Sequence, residues 1–143
     1  MEWQQADYLR PLTNDGKQRM RVSAAAMRQL GLVPDVILTS PLVRARQTAD
    51  IVGEALGCGV AEDDRLEPGF GIGSLTQILD DHADLAELMV VGHEPDFSTV
   101  ISMLISGGRV AVKKGSLIRV DLFASNPPRG ELIWSIPPKM LAL

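Results

Sequence analysis

The sequence has few of the features that define several large classes of protein. Its single cysteine, Cys58, cannot form an internal disulfide or serve as the centre of a cysteine-based metal site. Aromatic residues make up only 4% of the chain, too few for the stacking surface to which single-stranded nucleic acids bind. With a formal net charge of −4, the chain lacks the excess of lysine and arginine that a nucleic-acid-binding surface needs. Disulfide-stabilised and nucleic-acid-binding proteins are therefore excluded.

Segments that direct a protein to a membrane are also missing from the sequence. No apolar run approaches the roughly 20 residues that span a bilayer. Met1–Gln5 has neither the basic region nor the apolar region of a signal peptide. The 143 residues, 45% hydrophobic and 22% charged, are typical of one soluble globular domain. We therefore expect a single domain over residues 1–143, located in the cytoplasm, with no nucleic-acid or membrane partner.

Helical patterns recur along the chain. Apolar residues at helical spacing (Met20, Ala24, Met27 and Leu30) predict a helix that begins at about Thr13 and ends at Leu30. Thr13 is a suitable N-cap, and Gly31 is suited to the left-handed conformation that ends a helix. Three further helices are predicted: from Val43 to Leu56, from a capping box at Ser74 and Gln77 to about Asp81, and from Phe97 to about Ser106 after an Asp96 cap.

Strand patterns alternate with these helices. Val36–Leu38 and Leu88–Val91 are continuous apolar runs, as in parallel strands that are covered on both faces. Between the second and third helices, residues 58–73 indicate mostly loop. Near the end of the chain, Leu117–Leu122 and Leu132–Trp134 flank the turn Asn126–Gly130 and predict a hairpin. The order predicts an α/β fold: a three-layer α/β/α sandwich with a mainly parallel sheet and a C-terminal hairpin.

Parallel sheets of this kind bind ligands beyond the carboxyl ends of their strands. The two apolar runs lead into Thr39–Arg44 and Gly92–Pro95, and each is followed by a helix start that favours an anion. Arg44 carries a planar set of donors that matches a phosphate. His93 can hold phosphate oxygens when protonated, or transfer a proton, and Glu94 is a candidate proton donor. Arg44, His93 and Glu94 are therefore the candidate site residues.

Each residue type also has a purely structural interpretation. An arginine at a helix start is most often a solvated surface residue, and this alternative stays open for Arg44 on local pattern alone. We expect Arg46 to be exposed on its helix and His82 to be a solvated loop residue. Cys58 shows no activating partner and is interpreted as structural. Lys113–Gly115 is interpreted as a solvated turn.

Two segments resemble signatures of a known family. Ser40–Ala49 and Val91–Pro95 resemble two signatures of the histidine phosphatase superfamily, which includes the phosphoglycerate mutases. Three shorter stretches narrow the resemblance to the SixA-type phosphohistidine phosphatases: Arg10–Thr13, Leu32–Asp35 and Lys113–Ser116. The resemblance covers residues 8 to about 140, in the order of the family.

The resemblance implies a function and a pocket. It implies a phosphatase that removes phosphate from phosphohistidine on a protein, such as a phosphorelay or phosphotransfer domain, through a covalent intermediate. Arg44 and His93 would belong to the phosphate pocket, and no metal or cofactor would be required. Two alternatives stay open: a phosphatase for small phosphate esters of the same superfamily, and a non-catalytic module that binds phosphorylated partners.

The sequence departs from the family before Arg10. Members begin with a central strand that ends in Arg-His-Gly, whose histidine attacks phosphorus and whose arginine helps to hold the phosphate. Met1–Leu9 contains neither histidine nor arginine. We therefore expect that the first strand and the nucleophile are missing, through truncation of the N-terminus or because another segment or subunit supplies them. The loss would leave unpaired strand edges, which favour self-association, and a pocket that only binds anions.

Overall fold

The computed structural model describes residues 9–143, so the predicted absence of a strand before Leu9 concerns residues outside the described part. Within residues 9–143, no helix is long and apolar enough to cross a membrane. The elements in chain order are α1 (Asn14–Gln29), β1 (Val36–Thr39), α2 (Val43–Leu56), β2 (Val60–Glu62), a 3₁₀ turn (Asp64–Leu66), α3 (Ile72–Asp81), β3 (Leu88–Val91), α4 (Asp96–Leu104), β4 (Leu117–Ser125), β5 (Pro128–Ile136) and α5 (Pro138–Leu141).

The strands of residues 9–143 form two sheets. β2, β1 and β3 make a parallel sheet in that order, with β1 in the centre. β4 and β5 make an antiparallel hairpin. The predicted α/β class, with a mainly parallel sheet and a C-terminal hairpin, is confirmed. The interpretation of residues 58–73 as mostly loop missed β2, because a strand of three residues with two of them exposed is too short to show a periodicity.

The parallel sheet lies between two layers of helices. Ile37 and Leu38 are neighbours in β1, so their side chains point to opposite faces, and both are buried. Ile37 packs in a cluster with residues of α1, α2 and α5: Ala24, Met27, Ala49, Val52 and Leu141. Leu38 packs in a second cluster with residues of α3, α4 and the segment before them: Leu66, Phe70, Leu75, Ile78, Val100 and Leu104. The predicted three-layer arrangement is therefore present.

The first two helices begin and end as predicted, with one difference in what they bury. Thr13 Oγ1 accepts a hydrogen bond from the Gly16 amide at 3.0 Å and caps α1. Gly31 and Gly57 follow α1 and α2 with φ of +77° and +66°, the left-handed region that suits glycine. Leu30 was predicted on the apolar stripe of α1, but it is the C-cap of the helix and is 55% exposed.

The predicted caps of α3 and α4 are wrong. α3 begins at Ile72 with Gly71 as N-cap, so the capping box at Ser74 is not used. Asp96 is the first residue of α4, and its carboxylate accepts a hydrogen bond from the distant Gly69 amide at 2.8 Å. α4 ends at Leu104 rather than Ser106. At α4, a contact between segments far apart in sequence overrode the local capping pattern.

The C-terminal part is more regular than predicted. The hairpin strands run to Ser125 and from Pro128, so the connection is shorter than the predicted Asn126–Gly130 turn. The predicted turn at Lys113–Gly115 is present: the Ser116 amide donates to the Lys113 carbonyl at 2.9 Å, and Gly115 has a φ of +83°. The short helix α5 was not predicted; it buries Leu141 against α1 and α2.

Candidate functional site

The loops that follow β1 and β3 lie side by side. β1 and β3 stay in register to their last residues, with Thr39 opposite Val91. Beyond them the Ser40 amide donates a hydrogen bond to the Val91 carbonyl at 2.9 Å. The segments that carry Arg44 and His93 therefore start from the same edge of the sheet, where parallel sheets bind their ligands.

A hydrogen bond between side chains joins the two loops. His93 Nε2 lies 2.7 Å from Ser40 Oγ. The same Oγ accepts a hydrogen bond from the Leu42 amide at 3.3 Å. Ser40 is fully buried and His93 is half-buried. A buried serine therefore holds one ring nitrogen of a partly exposed histidine.

A serine hydroxyl suits this position because it can both donate and accept. It donates its proton when Nε2 of a neutral imidazole is bare, and it accepts when Nε2 carries a proton. The contact therefore survives the gain or loss of a proton by His93. Ser40 belongs to the Ser40–Ala49 segment, but the sequence did not single it out. Its distance from His93 along the chain is 53 residues, which no local pattern spans.

Arg44 lies at the N-terminal end of α2. It is the second residue of the helix and is half-buried. The first turn of α2 holds no acidic residue, and no side chain of the described part caps it. The first amides of a helix have no partner within it, and the helix dipole is positive there. Arg44 adds a full positive charge at this end, which suits a phosphate or a carboxylate.

Glu94 is engaged by the helix that follows it. Its side chain is exposed, and Oε1 accepts a hydrogen bond from the Ser98 amide at 2.7 Å. Glu94 thus supplies the N-terminal hydrogen bond of α4 that the sequence assigned to Asp96. The geometry gives Glu94 a capping role, and its role as a proton donor stays a prediction.

The ring of Phe97 leaves no room for a side chain at Gly92. A Cβ at this position would lie 2.7 Å from both Cε1 and Cζ of Phe97. The Phe97 ring packs edge-on against Phe70, with 5.4 Å between the ring centroids, and joins the cluster beneath α3 and α4. Within the described part of the chain, Phe97 makes the close approach that a glycine at position 92 allows.

Gln47 holds the segment that precedes α1. Its Oε1 accepts a hydrogen bond from the Leu12 amide at 2.7 Å. Gln47 lies three residues after Arg44 in α2, and residues at this spacing share one face of a helix. The sequence did not predict a role for Gln47. The signal that could have found it is this spacing within the Ser40–Ala49 segment.

A third loop reaches the same edge of the sheet after β2. The Asp63 amide donates to the Thr39 carbonyl at 2.9 Å. The Asp63 carboxylate accepts two hydrogen bonds from the Arg65 guanidinium, at 2.9 and 2.7 Å, and these lower the pKa of Asp63. Arg65 also pairs with Asp81 of α3 at 2.9 Å. This loop is held by ion pairs of its own.

The residues that the sequence assigned to structure have partners of their own. Arg46 pairs with Asp50 at 3.0 Å and with Glu62 at 3.5 Å. His82 is the half-buried C-cap of α3 rather than a fully solvated loop residue. The Cys58 thiol lies 3.2 Å from the Pro34 carbonyl, and burial raises its pKa, which disfavours the reactive thiolate.

The comparisons with known proteins establish the family. The sequence profile of the histidine phosphatase superfamily (branch 1) matches residues 3–94. An uncharacterized protein of Picosynechococcus sp. is 38% identical over 123 residues, which cover 79% of this chain and 74% of that protein. The chain therefore belongs to the histidine phosphatase superfamily, as its two signature-like segments indicated.

Solved structures show the fold. The protein histidine phosphatase SixA complexed with tungstate superposes with a TM-score of 0.83 at 24% identity, covering 93% of this chain and 87% of that one. A SixA protein from Agrobacterium tumefaciens, described as a putative phosphohistidine phosphatase, superposes with a TM-score of 0.78 at 21% identity, covering 92% and 86%. At these identities the similarity concerns the fold, which is that of SixA.

Proposed function

We propose that this protein is a phosphatase of the phosphohistidine type, which acts on a phosphoryl group carried by a histidine of another protein. The observation that carries the proposal is the 2.7 Å contact between Ser40 Oγ and His93 Nε2. This contact holds the imidazole at the strand edge from which α2 begins, and Arg44 lies in the first turn of that helix. An imidazole, a guanidinium and a helix N-terminus together suit the oxygens of a phosphoryl group.

The proposed chemistry divides between holding the phosphoryl group and attacking it. Arg44 and His93 hold the equatorial oxygens, where negative charge is greatest in the transition state. In the superfamily the histidine of the Arg-His-Gly strand attacks phosphorus, the bond to the substrate breaks, and water then hydrolyses the enzyme phosphohistidine. The two histidines of this sequence, His82 and His93, stand in no such triplet. We expect the 143 residues by themselves to bind phosphoryl groups without turnover.

A phosphohistidine on a protein surface suits this pocket better than an enclosed metabolite. Only Ser40–Leu42 separate β1 from α2, and only Gly92–Pro95 separate β3 from α4. Loops this short leave a pocket between them open to a folded partner. A phosphoryl group on nitrogen also leaves with little help from an acid, which agrees with a Glu94 carboxylate that is bonded to the Ser98 amide.

One observation favours a second candidate, a module that binds phosphorylated partners without hydrolysis. The sequence contains no Arg-His-Gly triplet, whereas Arg44 and His93 are both present. A pocket with these two residues and no attacking group binds anions and performs no covalent step.

Binding of inorganic phosphate, followed by calorimetry, tests the pocket. We expect Arg44→Ala to weaken the affinity by about 10- to 100-fold, since a hydrogen bond to a charged group contributes about 1.5–3 kcal/mol. Arg46→Ala is the matched control: Arg46 lies in the same helix and pairs with Asp50 and Glu62, so its loss is expected to change the affinity less than about twofold. Equal affinities for Arg44→Ala and the unaltered chain would remove Arg44 from the site.

Release of phosphate distinguishes the candidate functions. A phosphotransfer domain labelled on histidine and p-nitrophenyl phosphate are offered to the chain, and to a form extended by an apolar strand that ends in Arg-His-Gly. We expect the extended form to release phosphate from the phosphohistidine domain in preference to the small ester. If both forms bind the domain only when it is phosphorylated and neither releases phosphate, the protein is the non-catalytic binding module instead. A preference for the ester would assign the small-molecule phosphatase.

A further inference from the structure

Basic and acidic residues are concentrated in different parts of the fold. The chain has a net charge of −4, but residues 9–30, which contain α1, include five basic residues and one acidic residue. Residues 62–96, which contain α3, include ten acidic residues and one arginine. α1 packs on one face of the parallel sheet and α3 packs on the other. An acidic protein therefore has one strongly basic helix on its surface.

Three of the basic residues form a stripe along α1. Arg21 lies four residues after Lys17, and Arg28 lies eleven residues after it. With about 3.6 residues per turn, these spacings place the three side chains on one side of the helix. Asp15, the acidic residue of α1, lies two residues before Lys17 and therefore on the other side. Arg21 and Arg28 are exposed and Lys17 is half-buried. We call these three residues the basic stripe.

Neighbouring carboxylates do not neutralise the basic stripe. Within residues 9–143, Arg46, Arg65 and Arg119 form ion pairs with aspartate or glutamate. The three residues of the stripe form none in this part of the chain. The Arg21 guanidinium donates instead to the side-chain oxygen of Gln18, at 3.5 Å. Exposed cations of this kind are able to pair with acidic groups of another molecule.

The start of α1 lies beside the candidate site. The Leu12 amide, two residues before α1, donates a hydrogen bond to Gln47 Oε1 at 2.7 Å. Gln47 lies three residues after Arg44 in α2, so the two share one face of that helix. The first turns of α1 and α2 are therefore neighbours at the carboxyl edge of the sheet.

The basic stripe leads away from this edge. A rise of about 1.5 Å per residue places Lys17 about 5 Å, Arg21 about 10 Å and Arg28 about 21 Å from the start of α1. A molecule that reaches the candidate site and extends over α1 thus meets Lys17 and Arg21 first.

We propose that the basic stripe is a docking surface for the protein that carries the phosphoryl group, and that this partner is acidic around its phosphohistidine. The proposal rests on the proposed function, which places the phosphoryl group at Arg44 and His93. A folded partner bound there covers the adjoining edge of the sheet, where the stripe begins. Complementary charges beside a binding site accelerate association and select among partners.

Two observations favour an acidic protein over a nucleic acid as the occupant. α1 contains no aromatic residue on which a base could stack. The ten acidic residues of 62–96 repel a long polyanion, whereas a folded protein can present its acidic groups to α1 alone.

Titration of the 143-residue chain with two synthetic peptides tests the proposal. Each peptide carries a stable phosphonate analogue of phosphohistidine at its centre, and the flanking positions hold glutamate in one peptide and glutamine in the other. We expect the glutamate peptide to bind about tenfold more tightly in 0.1 M salt. The preference should disappear in 1 M salt, where the Debye length falls from about 10 Å to about 3 Å.

Two substitutions in the stripe form a matched pair. Arg21→Glu and Arg28→Glu both reverse the charge of an exposed arginine, but Arg28 lies about 10 Å further from the candidate site. We expect Arg21→Glu to weaken binding of the glutamate peptide by about tenfold and of the glutamine peptide by less than about twofold. Arg28→Glu should weaken binding of the glutamate peptide by less than about threefold, because it lies about one Debye length beyond Arg21.

Several results would overturn the proposal. Equal affinities for the two peptides would remove the docking surface, and equal losses in the two variants would show an effect of net charge alone. Tighter binding of single-stranded DNA than of the glutamate peptide would make a nucleic acid the occupant. Self-association that Arg21→Glu abolishes would make a second copy the occupant.

Peptides without the phosphonate group keep the two proposals apart. If the phosphonate adds nothing to the affinity of either peptide, the proposed function fails. The docking surface then still stands if the chain prefers glutamate and loses this preference in Arg21→Glu. If the phosphonate strengthens both peptides equally and glutamate adds nothing, only the docking surface fails.

Discussion

A residue next to β1 forms a bridge to the β3 side at each end of the β1–β3 pair. Asp35 forms the bridge at the amino end and Ser40 at the carboxyl end, and the groups that they bind differ. At the amino end, the exposed Asp35 carboxylate accepts hydrogen bonds from the amides of Ala86 and Glu87 at 2.8 and 2.9 Å. At the carboxyl end, the buried Ser40 hydroxyl contacts the His93 ring at 2.7 Å. The first bridge holds a backbone loop, and the second holds a side chain that can carry a proton.

The difference in burial separates the scaffold from the site. Water competes freely for the groups around an exposed carboxylate, so the bridge at Asp35 contributes little and can be replaced. A buried hydrogen bond is stronger, and a group left without its partner there is costly. The position of His93 therefore depends on Ser40 more than the loop at 86–87 depends on Asp35. The candidate site lies at the end where the bridge is buried.

The largest loss of stability is expected from overpacking at the carboxyl end of the β1–β3 pair. Gly92→Ala places a methyl group 2.7 Å from two carbons of the Phe97 ring, and overpacking of this kind destabilises the fold by about 2 kcal/mol. The measurement is urea unfolding. Gly73→Ala is the control, because nothing lies within 4 Å of its added Cβ and alanine favours the helix α3.

A double-mutant cycle identifies the cause of that loss. If the Phe97 ring is responsible, Phe97→Leu costs less free energy of unfolding in the Gly92→Ala background than alone. Additive losses would show that Gly92 is required for a reason other than Phe97.

A smaller loss of stability is expected from removing the hydrogen bond between Ser40 and His93 at the carboxyl end. Ser40→Ala removes the hydroxyl that His93 and the Leu42 amide share, at a cost of about 1 kcal/mol in stability. The imidazole loses its partner at Nε2, so we expect the nitrogen chemical shifts of His93 to change and the phosphate affinity to fall. Ser98→Ala removes an exposed hydroxyl bonded to the Pro95 carbonyl and serves as the control. Unchanged His93 shifts in Ser40→Ala would contradict the positioning role.

The smallest loss of stability is expected from replacing Asp35 at the amino end, and this loss depends on pH. Hydrogen bonds from the Glu87 and Ala86 amides lower the pKa of Asp35 below its ordinary value of 3.8. The folded chain thus binds this proton more weakly than the unfolded chain, so the contribution of Asp35 is complete above about pH 4 and is lost as the pH falls through the lowered pKa. Asp35→Asn should be slightly less stable at pH 7, and the difference should narrow at pH 3. Urea unfolding measures the difference in stability between the unaltered chain and Asp35→Asn. If this difference is the same at pH 7 and pH 3, the charge of Asp35 does not contribute to the bridge.

The two segments of the candidate site could be predicted, because local pattern and strand order are both visible in the sequence. The continuous apolar runs at Val36–Leu38 and Leu88–Val91 predicted parallel strands. Because parallel sheets bind ligands beyond the carboxyl ends of their strands, Arg44 and His93 became the candidate residues. The contacts that arrange the pocket could not be predicted in this way. The Ser40–His93 bond joins residues 53 apart, and the Leu12–Gln47 bond joins residues 35 apart.

The sequence by itself determined the class of fold, the family and the two segments of the candidate site, because periodicity, caps and motif spacing are properties of neighbouring residues. Only the tertiary structure decided that Ser40 holds His93 and that Glu94 rather than Asp96 caps α4. The physical reason is that these features depend on which strands become neighbours, and burial and pairing between distant segments are set by packing rather than by local propensity.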